Sequence, residues 1–323
     1  MPRPATFAPR VLLLDHHAVT PGPSRLTDDP RRGVIEEPLE LPGALRTAAR
    51  WWSAGRDDAP LVLMLPALGT PASAYDRLGA ALALAGLHAG SVDLRGFGAS
   101  SVRAGRERDW GYAELVRDEL PALLARGRAR HPRSRVFWLG HSLGGHLALL
   151  RAAAFPTDAV AGIVLVASGT PHWRAFSGRV ALTAFVLGHL VPALTAILGW
   201  YPGRRVGFGG NQPRSLMRQW ARCARRGVLV PGPAPAQSLH DALPALRLPV
   251  LPIAIEGDAF APPAAIRALL AGLAPAPALR PVGAGPGEQP LDHFRWLCAP
   301  DGVAREVAAF TRALADGSTH ARA

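Results

Sequence analysis

The residues with the clearest chemical potential lie at positions 140–144, which read Gly-His-Ser-Leu-Gly. An apolar run at 136–139 precedes this pentapeptide, and a helical pattern at 145–150 follows it. A serine in a sharp turn between a strand and a helix is typical of a nucleophile elbow. Because the turn strains the backbone and glycines lie two residues away on each side, we expect the Ser142 hydroxyl to be exposed at the carboxyl end of a sheet.

A serine nucleophile needs a general base, and a strand–turn–helix scaffold places an acid and then a histidine after the serine in the chain. The favoured base is His293, in a loop between the last predicted strand and the last predicted helix. His146 follows Ser142 by about one helical turn, so its expected role is packing. The remaining histidines after Ser142 lie in or beside a predicted helical insertion or in a polar tail: His172, His189, His240 and His320.

The favoured acid is Asp258, which follows the apolar strand predicted at 250–256 and begins a loop. Its rivals are Glu256, expected still inside the strand, Asp241, and Asp292. Because Asp292 is adjacent to His293 in sequence, its side chain is expected to point elsewhere. The sequence therefore predicts a Ser142, Asp258 and His293 triad, with the rival carboxylates kept as alternatives.

Acyl transfer also needs hydrogen-bond donors for the developing oxyanion. The backbone N–H of Leu143, directly after the nucleophile, is one predicted donor. The second is expected from the loop after the strand at 61–65, where we assign Leu68, with Ala67 as the alternative. Pro66 cannot serve because proline has no N–H.

Strands and helices alternate along most of the chain, which predicts an α/β fold with a mostly parallel sheet covered on both faces. The expected strands are 34–41, 45–52, 61–65, 89–94, 136–139, 159–167, 250–256 and 279–282. The expected helices are 71–86, 112–128, 145–150, 262–273 and 301–315. Between 171 and 246 the alternation stops, and helical patterns without a recognisable strand predict a cap over the carboxyl edge of the sheet, where open α/β sheets bind ligands.

These patterns divide the chain into five parts. A loose N-terminal extension is expected at 1–33 and a first core segment at 34–170. The helical cap insertion is expected at 171–246, followed by a second core segment at 247–315 and a polar tail at 316–323.

Composition excludes several other classes of protein. The formal net charge of +12 results from 36 basic residues, all arginine, and 24 acidic residues. The arginines are scattered along the chain and lack interleaved aromatic residues, so no nucleic-acid partner is expected. Two cysteines make no disulfide framework and have no metal-ligand spacing. No metal or cofactor is expected, because the glycine-rich runs also fail the phosphate-loop patterns.

One segment, 180–200, has the length of a membrane-spanning helix. Because it contains two glycines, a histidine and Pro192, we expect a buried or lid-forming helical pair that breaks near Pro192, without a stable membrane span. No convincing signal peptide is recognised, so a cytoplasmic location is expected.

The chain resembles the α/β-hydrolase superfamily through three motifs in the superfamily's order. Residues 93–100 match D-x-R-G-x-G-x-S, residues 140–145 carry the elbow, and residues 257–258 with Pro262 precede His293. The insertion also resembles a bacterial branch of capped serine hydrolases. One departure is Pro66-Ala67 in place of the superfamily's usual His-Gly, in the loop that supplies the second oxyanion donor.

The expected function is a serine hydrolase that cleaves a small or medium apolar carboxylic ester through an acyl-enzyme, with amide or thioester cleavage less favoured. The resemblance disfavours a haloalkane dehalogenase or epoxide hydrolase, because those families carry aspartate where this chain has Ser142. The alternatives are an acyltransferase that uses the same site and a hydrolase-fold binding protein with an idle serine. The sequence does not specify an oligomeric state.

Overall fold

The computed structural model describes residues 33–231 and 237–317. Nearly all of the expected N-terminal extension, and residues 318–323 of the expected tail, lie outside the described residues. The main sheet has eight strands in the order β1-β2-β4-β3-β5-β6-β9-β10. The strands of the chain are β1 (Ile35–Leu41), β2 (Leu45–Trp52), β3 (Leu61–Leu65), β4 (His88–Val92), β5 (Val136–His141), β6 (Gly162–Val166), β7 (Trp200–Pro202), β8 (Asn211–Pro213), β9 (Val250–Ile255) and β10 (Arg280–Val282).

Most of the sheet is parallel, as the alternating pattern predicts. The antiparallel pairs of this sheet are β1 with β2, joined by the 3₁₀ turn Pro42–Ala44, and β2 with β4. From β4 to β10 every neighbouring pair is parallel. Strands β3 to β6 are buried along their whole length, which explains the apolar runs of β3, β5 and β6.

Ten α-helical segments connect or extend the strands in the described part of the chain. They are α1 (Asp76–Leu84), α2 (Tyr112–Glu114), α3 (Leu120–Arg130), α4 (Leu143–Ala154), α5 (Gly178–Leu198), α6 (Gly203–Val206), α7 (Arg214–Arg226), α8 (Leu239–Ala242), α9 (Pro263–Leu269) and α10 (Asp301–Ala315). A π-helical turn, Leu115–Glu119, makes α2 and α3 one continuous element.

Two consecutive tryptophans of β2 show that helices cover both faces of the sheet. A side chain at Gly79 of α1 would overlap the indole of Trp52, and a side chain at Gly127 of α3 would meet the indole of Trp51. Because successive strand residues point to opposite faces, α1 and α3 lie on opposite sides. Helix α10 packs beside α1, and α4 packs against the π turn that precedes α3.

The chain between β6 and β9 leaves the sheet and forms α5 to α8. The sequence pattern predicts no strand in this region, and that expectation is wrong: β7 and β8 form a short antiparallel pair. Each of these strands has three residues and ends in a proline. Such short segments carry no alternation of polar and apolar residues, so periodicity could not reveal them.

Helix α5 runs without interruption through Pro192, so the predicted break at this proline is wrong. Proline lacks the N–H that would bond the carbonyl of Gly188, four residues earlier. The guanidinium of Arg225, from the neighbouring α7, donates a hydrogen bond to that carbonyl instead. A donor from another element therefore satisfies the carbonyl that the proline leaves unpaired, which a local pattern cannot predict.

This replacement can be tested with a double-mutant cycle. Arg225→Leu should lower the free energy of unfolding by about 1–3 kcal/mol, because the buried Gly188 carbonyl loses its donor. In a Pro192→Ala background the cost should be smaller by about 1 kcal/mol, since the new amide can bond Gly188. Urea unfolding of the four proteins measures both costs, and equal costs in the two backgrounds would contradict the interpretation.

Candidate active site

The turn that carries Ser142 is strained. Ser142 lies between β5 and α4 with φ 53° and ψ −113°, a conformation that costs a non-glycine residue about 1–3 kcal/mol. A side chain at Gly140 would overlap the backbone of Gly144, and one at Gly144 would overlap the carbonyl of Leu65. The two glycines therefore let the strand and the helix approach closely, as the pentapeptide predicts.

The structure brings Asp258 and His293 together although 35 residues separate them. His293 Nδ1 lies 2.8 Å from Asp258 Oδ2, and both residues are about 6% exposed. The other carboxylate oxygen of Asp258 accepts hydrogen bonds from the amides of Phe260, at 2.7 Å, and Ala261, at 3.1 Å. Because both oxygens of this carboxylate are hydrogen-bonded, the carboxylate can orient the imidazole of His293 and hold a proton on its Nδ1.

Ser142 and His293 line the same cavity. No hydrogen bond joins them in the described part of the chain, so the structure forms the acid–base contact without the base–nucleophile contact. Such contacts often tighten only when substrate binds.

The rival carboxylates lie elsewhere. Asp292 accepts hydrogen bonds from the amides of Phe294 and Arg295, and so caps the short helical turn after His293. Glu256 is exposed just beyond the end of β9, and Asp241 is bonded to Ser238 at the start of α8.

His146, expected to serve in packing, is buried, and its Nε2 lies 2.9 Å from the carbonyl of Gly169. Its ring also reaches the edge of the cavity.

The two residues predicted to supply oxyanion donors, Leu143 and Leu68, both line the cavity. Leu143 is the first residue of α4, so its N–H has no acceptor within the helix and lies at the positive end of the helix dipole. The N–H of Leu68 makes no hydrogen bond within residues 33–231 and 237–317. The alternative, Ala67, donates its N–H to the hydroxyl of Tyr75 at 2.8 Å, and so is already occupied.

Tyr75 is a site residue that sequence reasoning missed. Its hydroxyl accepts from Ala67 and lies 2.8 Å from Nδ1 of His141, the residue before the serine. Through these two contacts the tyrosine links the loop after β3 to the strand that ends at the elbow. Nothing local marks this role, since Tyr75 belongs to a 3₁₀ turn (Ala72–Tyr75) before α1.

The motif at residues 93–100 makes structural contacts. The carboxylate of Asp93 accepts hydrogen bonds from the amides of Ala72, at 2.7 Å, and Ala99, at 2.8 Å. Arg95 makes buried ion pairs with Glu119 and Asp118. These contacts tie the loop after β4 to the α2–α3 element, away from the reacting groups.

The cavity beside Ser142 has a volume of about 120 Å³ and is mainly apolar. Its walls come from the loop after β3, the elbow, the loop that carries His293, and the inserted helices. No Asp or Glu lies among the described residues that line it: Ala67, Leu68, Ser142, Leu143, His146, Gly169, Pro171, Phe176, Val180, Thr183, Ala184, Leu187, Phe208, Gly209, Trp220, Phe260, His293 and Phe294. Residues 33–231 and 237–317 also contain no cluster of His, Cys, Asp or Glu that could hold a metal ion.

Comparison with protein families gives a match to serine aminopeptidase family S33, over residues 57–225. That range is just over half of the chain and includes the elbow, α5 and most of α7. No curated protein sequence matches the chain significantly.

Solved structures similar to this chain share its fold at low sequence identity. A protein from Agrobacterium vitis S4 has a TM-score of 0.60 and 20% identity, covering 88% of this chain and 99% of its own. A membrane phospholipase A, described as a bacterial virulence factor, has a TM-score of 0.55 and 19% identity over 90% and 88% of the two chains. E-2-(acetamidomethylene)succinate hydrolase has a TM-score of 0.54 and 20% identity over 86% and 98%. The architecture and these likenesses show the α/β-hydrolase fold.

The buried histidine behind the elbow predicts a pH dependence of stability. Burial, and then the charge of His293, lower the pKa of His141 well below its ordinary value of 6.5, so His141 stays neutral in the folded state. Below pH 6.5 the unfolded chain binds a proton at this position that the folded chain excludes, so stability falls as the pH is lowered. In urea unfolding between pH 7.5 and 5, His141→Gln should reduce the slope of free energy against pH by up to ~1.4 kcal/mol per unit. An unchanged slope in a variant with native circular dichroism would contradict a neutral His141.

Proposed function

Because the chain belongs to serine aminopeptidase family S33 of the α/β hydrolases, we propose that it is a serine hydrolase acting on a small or medium apolar carboxylic ester. The observation that carries the proposal is the 2.8 Å contact between Asp258 and His293, beside a cavity that also contains Ser142. A strained serine, a buried carboxylate and a histidine, in that chain order, match the requirements of nucleophilic acyl transfer.

In the proposed reaction, Ser142 Oγ attacks the carbonyl carbon of the ester while His293 Nε2 takes the hydroxyl proton. Asp258 keeps the other ring proton on Nδ1 and stabilises the imidazolium. The leaving alcohol receives the proton from His293 as the ester C–O bond breaks, which gives an acyl-enzyme. Water then repeats the sequence with His293 as base, and the acid is released with Ser142 restored.

The amides of Leu143 and Leu68 are the proposed oxyanion donors. Both residues line the cavity on the side of the elbow. The Tyr75 hydroxyl accepts from the neighbouring Ala67 amide, which holds the loop so that Leu68 is the next amide along it. A single donor of this kind contributes on the order of 10²–10³-fold to kcat.

The size and lining of the cavity support an apolar acyl group of modest length. A dry apolar cavity of about 150 Å³ holds a benzene-sized molecule, and this cavity, at about 120 Å³, is somewhat smaller. Phe176, Leu187 and Trp220 contribute apolar walls from the insertion. The size of the cavity therefore favours short acyl chains over long ones.

The same apolar lining favours an ester substrate over the peptide with a free N-terminus that the family's description, serine aminopeptidase, suggests. An aminopeptidase must accommodate a protonated α-amine, whose burial without a carboxylate partner is costly. The described residues that line this cavity include no Asp or Glu. We therefore place the aminopeptidase reaction below ester hydrolysis.

The test is turnover of p-nitrophenyl esters of increasing acyl length, followed by release of p-nitrophenol. The wild-type chain should show its highest kcat/KM with a short acyl chain. Ser142→Ala should lower kcat by on the order of 10⁴-fold or more, and Asp258→Asn by about 10⁴-fold, because the wrong imidazole tautomer is then held. Asp292→Asn is the matched control and should keep kcat within about threefold, because the described contacts of this carboxylate are with the amides of Phe294 and Arg295 and with the Arg295 side chain.

Two outcomes would contradict the proposal. One is turnover that survives in Ser142→Ala, which would place the chemistry elsewhere. The other is absence of turnover with every ester while an L-amino acid p-nitroanilide is cleaved, which would favour the aminopeptidase reaction.

A further inference from the structure

Helix α5 presents a large apolar surface that the fold leaves uncovered. Eight large hydrophobic side chains are exposed in the described part of the chain, and five of them lie on this helix. They are Leu182, 63% exposed, Phe185, 42%, Val186, 46%, Leu190, 50%, and Ile197, 73%. Spacings of three, four and seven residues place all five on one side of the helix.

The opposite side of α5 is apolar as well, because it belongs to the fold. Val180, Ala184 and Leu187 line the cavity beside Ser142, and Val191 is buried in a cluster with residues of α7. A surface helix normally carries polar residues on its outer face, so an outer apolar face requires another explanation. By length and composition this helix is the described segment that could cross a membrane.

The surroundings of the helix are strongly basic. Residues 159–240 contain nine arginines and no Asp or Glu, so this segment carries +9 of the chain's formal net charge of +12. Exposed arginines lie near both ends of α5, at Arg179 and Arg204–Arg205. Others lie on the neighbouring α7 at intervals of four residues: Arg218, Arg222 and Arg226.

Tryptophans mark both ends of the helix. Trp173 precedes α5 and its ring lies edge-on to Phe185, with 5.6 Å between ring centroids. Trp200 follows the helix directly, in β7. Tryptophan and arginine are residues that the boundary between lipid headgroups and acyl chains favours, because each combines an apolar body with a polar end.

We propose that α5 binds the surface of an anionic lipid bilayer and lies in the plane of the membrane. The five exposed side chains would enter the acyl boundary while the arginines contact lipid phosphates. A spanning orientation is disfavoured because the inner face of α5 forms a cavity wall and the Gly188 carbonyl is bonded by Arg225. This inference does not depend on the proposed catalysis, since none of the membrane contacts involves Ser142, Asp258 or His293.

The test is co-sedimentation of the full chain, carrying Ser142→Ala so that hydrolysis cannot interfere, with vesicles of phosphatidylcholine alone or with one third phosphatidylglycerol. Binding should require phosphatidylglycerol and should weaken steeply as salt is raised from 50 to 500 mM. A triple variant, Leu182→Ser with Val186→Ser and Leu190→Ser, should lower the vesicle partition coefficient at least tenfold. Leu84→Ser, at a leucine 65% exposed on α1, is the matched apolar control and should leave it within twofold.

A second pair of variants tests the charges. Arg218→Gln, Arg222→Gln and Arg226→Gln should weaken binding at 50 mM salt at least tenfold. The equal loss of charge in Arg56→Gln, Arg117→Gln and Arg133→Gln, at exposed arginines outside the insertion, should weaken it less than threefold.

Four results would overturn the proposal. The first is absence of binding to phosphatidylglycerol vesicles. The second is equal binding by the α5 variant and the Leu84→Ser control. The third is a concentration-dependent dimer without vesicle binding that the α5 substitutions abolish, which would make a second copy of the chain the partner. Bound protein that resists both high salt and alkaline carbonate would instead indicate a spanning helix.

Discussion

The site depends on one backbone constraint, the positive φ of Ser142 at the junction of β5 and α4. The conformation is unfavourable for a serine, and it persists because the sheet and the helix hold the residues on either side. Ser142 N–H bonds the carbonyl of Val166 on the next strand, and Gly144 passes so close to Leu65 that no side chain fits between them. The same junction places Ser142 and Leu143 side by side at one cavity, where Leu143 is the first residue of α4.

The insertion between β6 and β9 gives this site its walls and the molecule its outer apolar face. Helix α5 separates the cavity from the exterior. Leu187 on its inner face lines the cavity, whereas Val186 and Leu190 on its outer face are exposed. Where Pro192 leaves the Gly188 carbonyl without its helical donor, Arg225 bonds that carbonyl and links α7 to α5. Cavity shape, helix packing and the proposed membrane contact are therefore properties of the same two helices.

Sequence reasoning succeeded where the signal was local or periodic. The buried strands and the elbow follow from apolar runs and glycine spacing. The structure also brings Asp258 to His293; the sequence favours the acid because it follows a strand, and the histidine because the others lie in the elbow helix, the insertion or the tail. Sequence reasoning missed features that depend on contacts with other elements or on very short segments. A donor from α7 bonds the Gly188 carbonyl of the unbroken α5, Tyr75 contacts the elbow from a turn outside any motif, and β7 and β8 have three residues each. The contact between Ser142 and His293 stays a prediction.

The central claim is that Ser142 is an activated nucleophile. The most direct measurement is the rate of covalent labelling by a fluorophosphonate, with the adduct located by peptide mass spectrometry. The account predicts one adduct, on Ser142, that forms at least 10²-fold more slowly in His293→Gln, because general-base assistance contributes about 10²–10⁴-fold. An unlabelled Ser142 in folded protein, or a labelling rate that His293→Gln leaves unchanged, would contradict the claim.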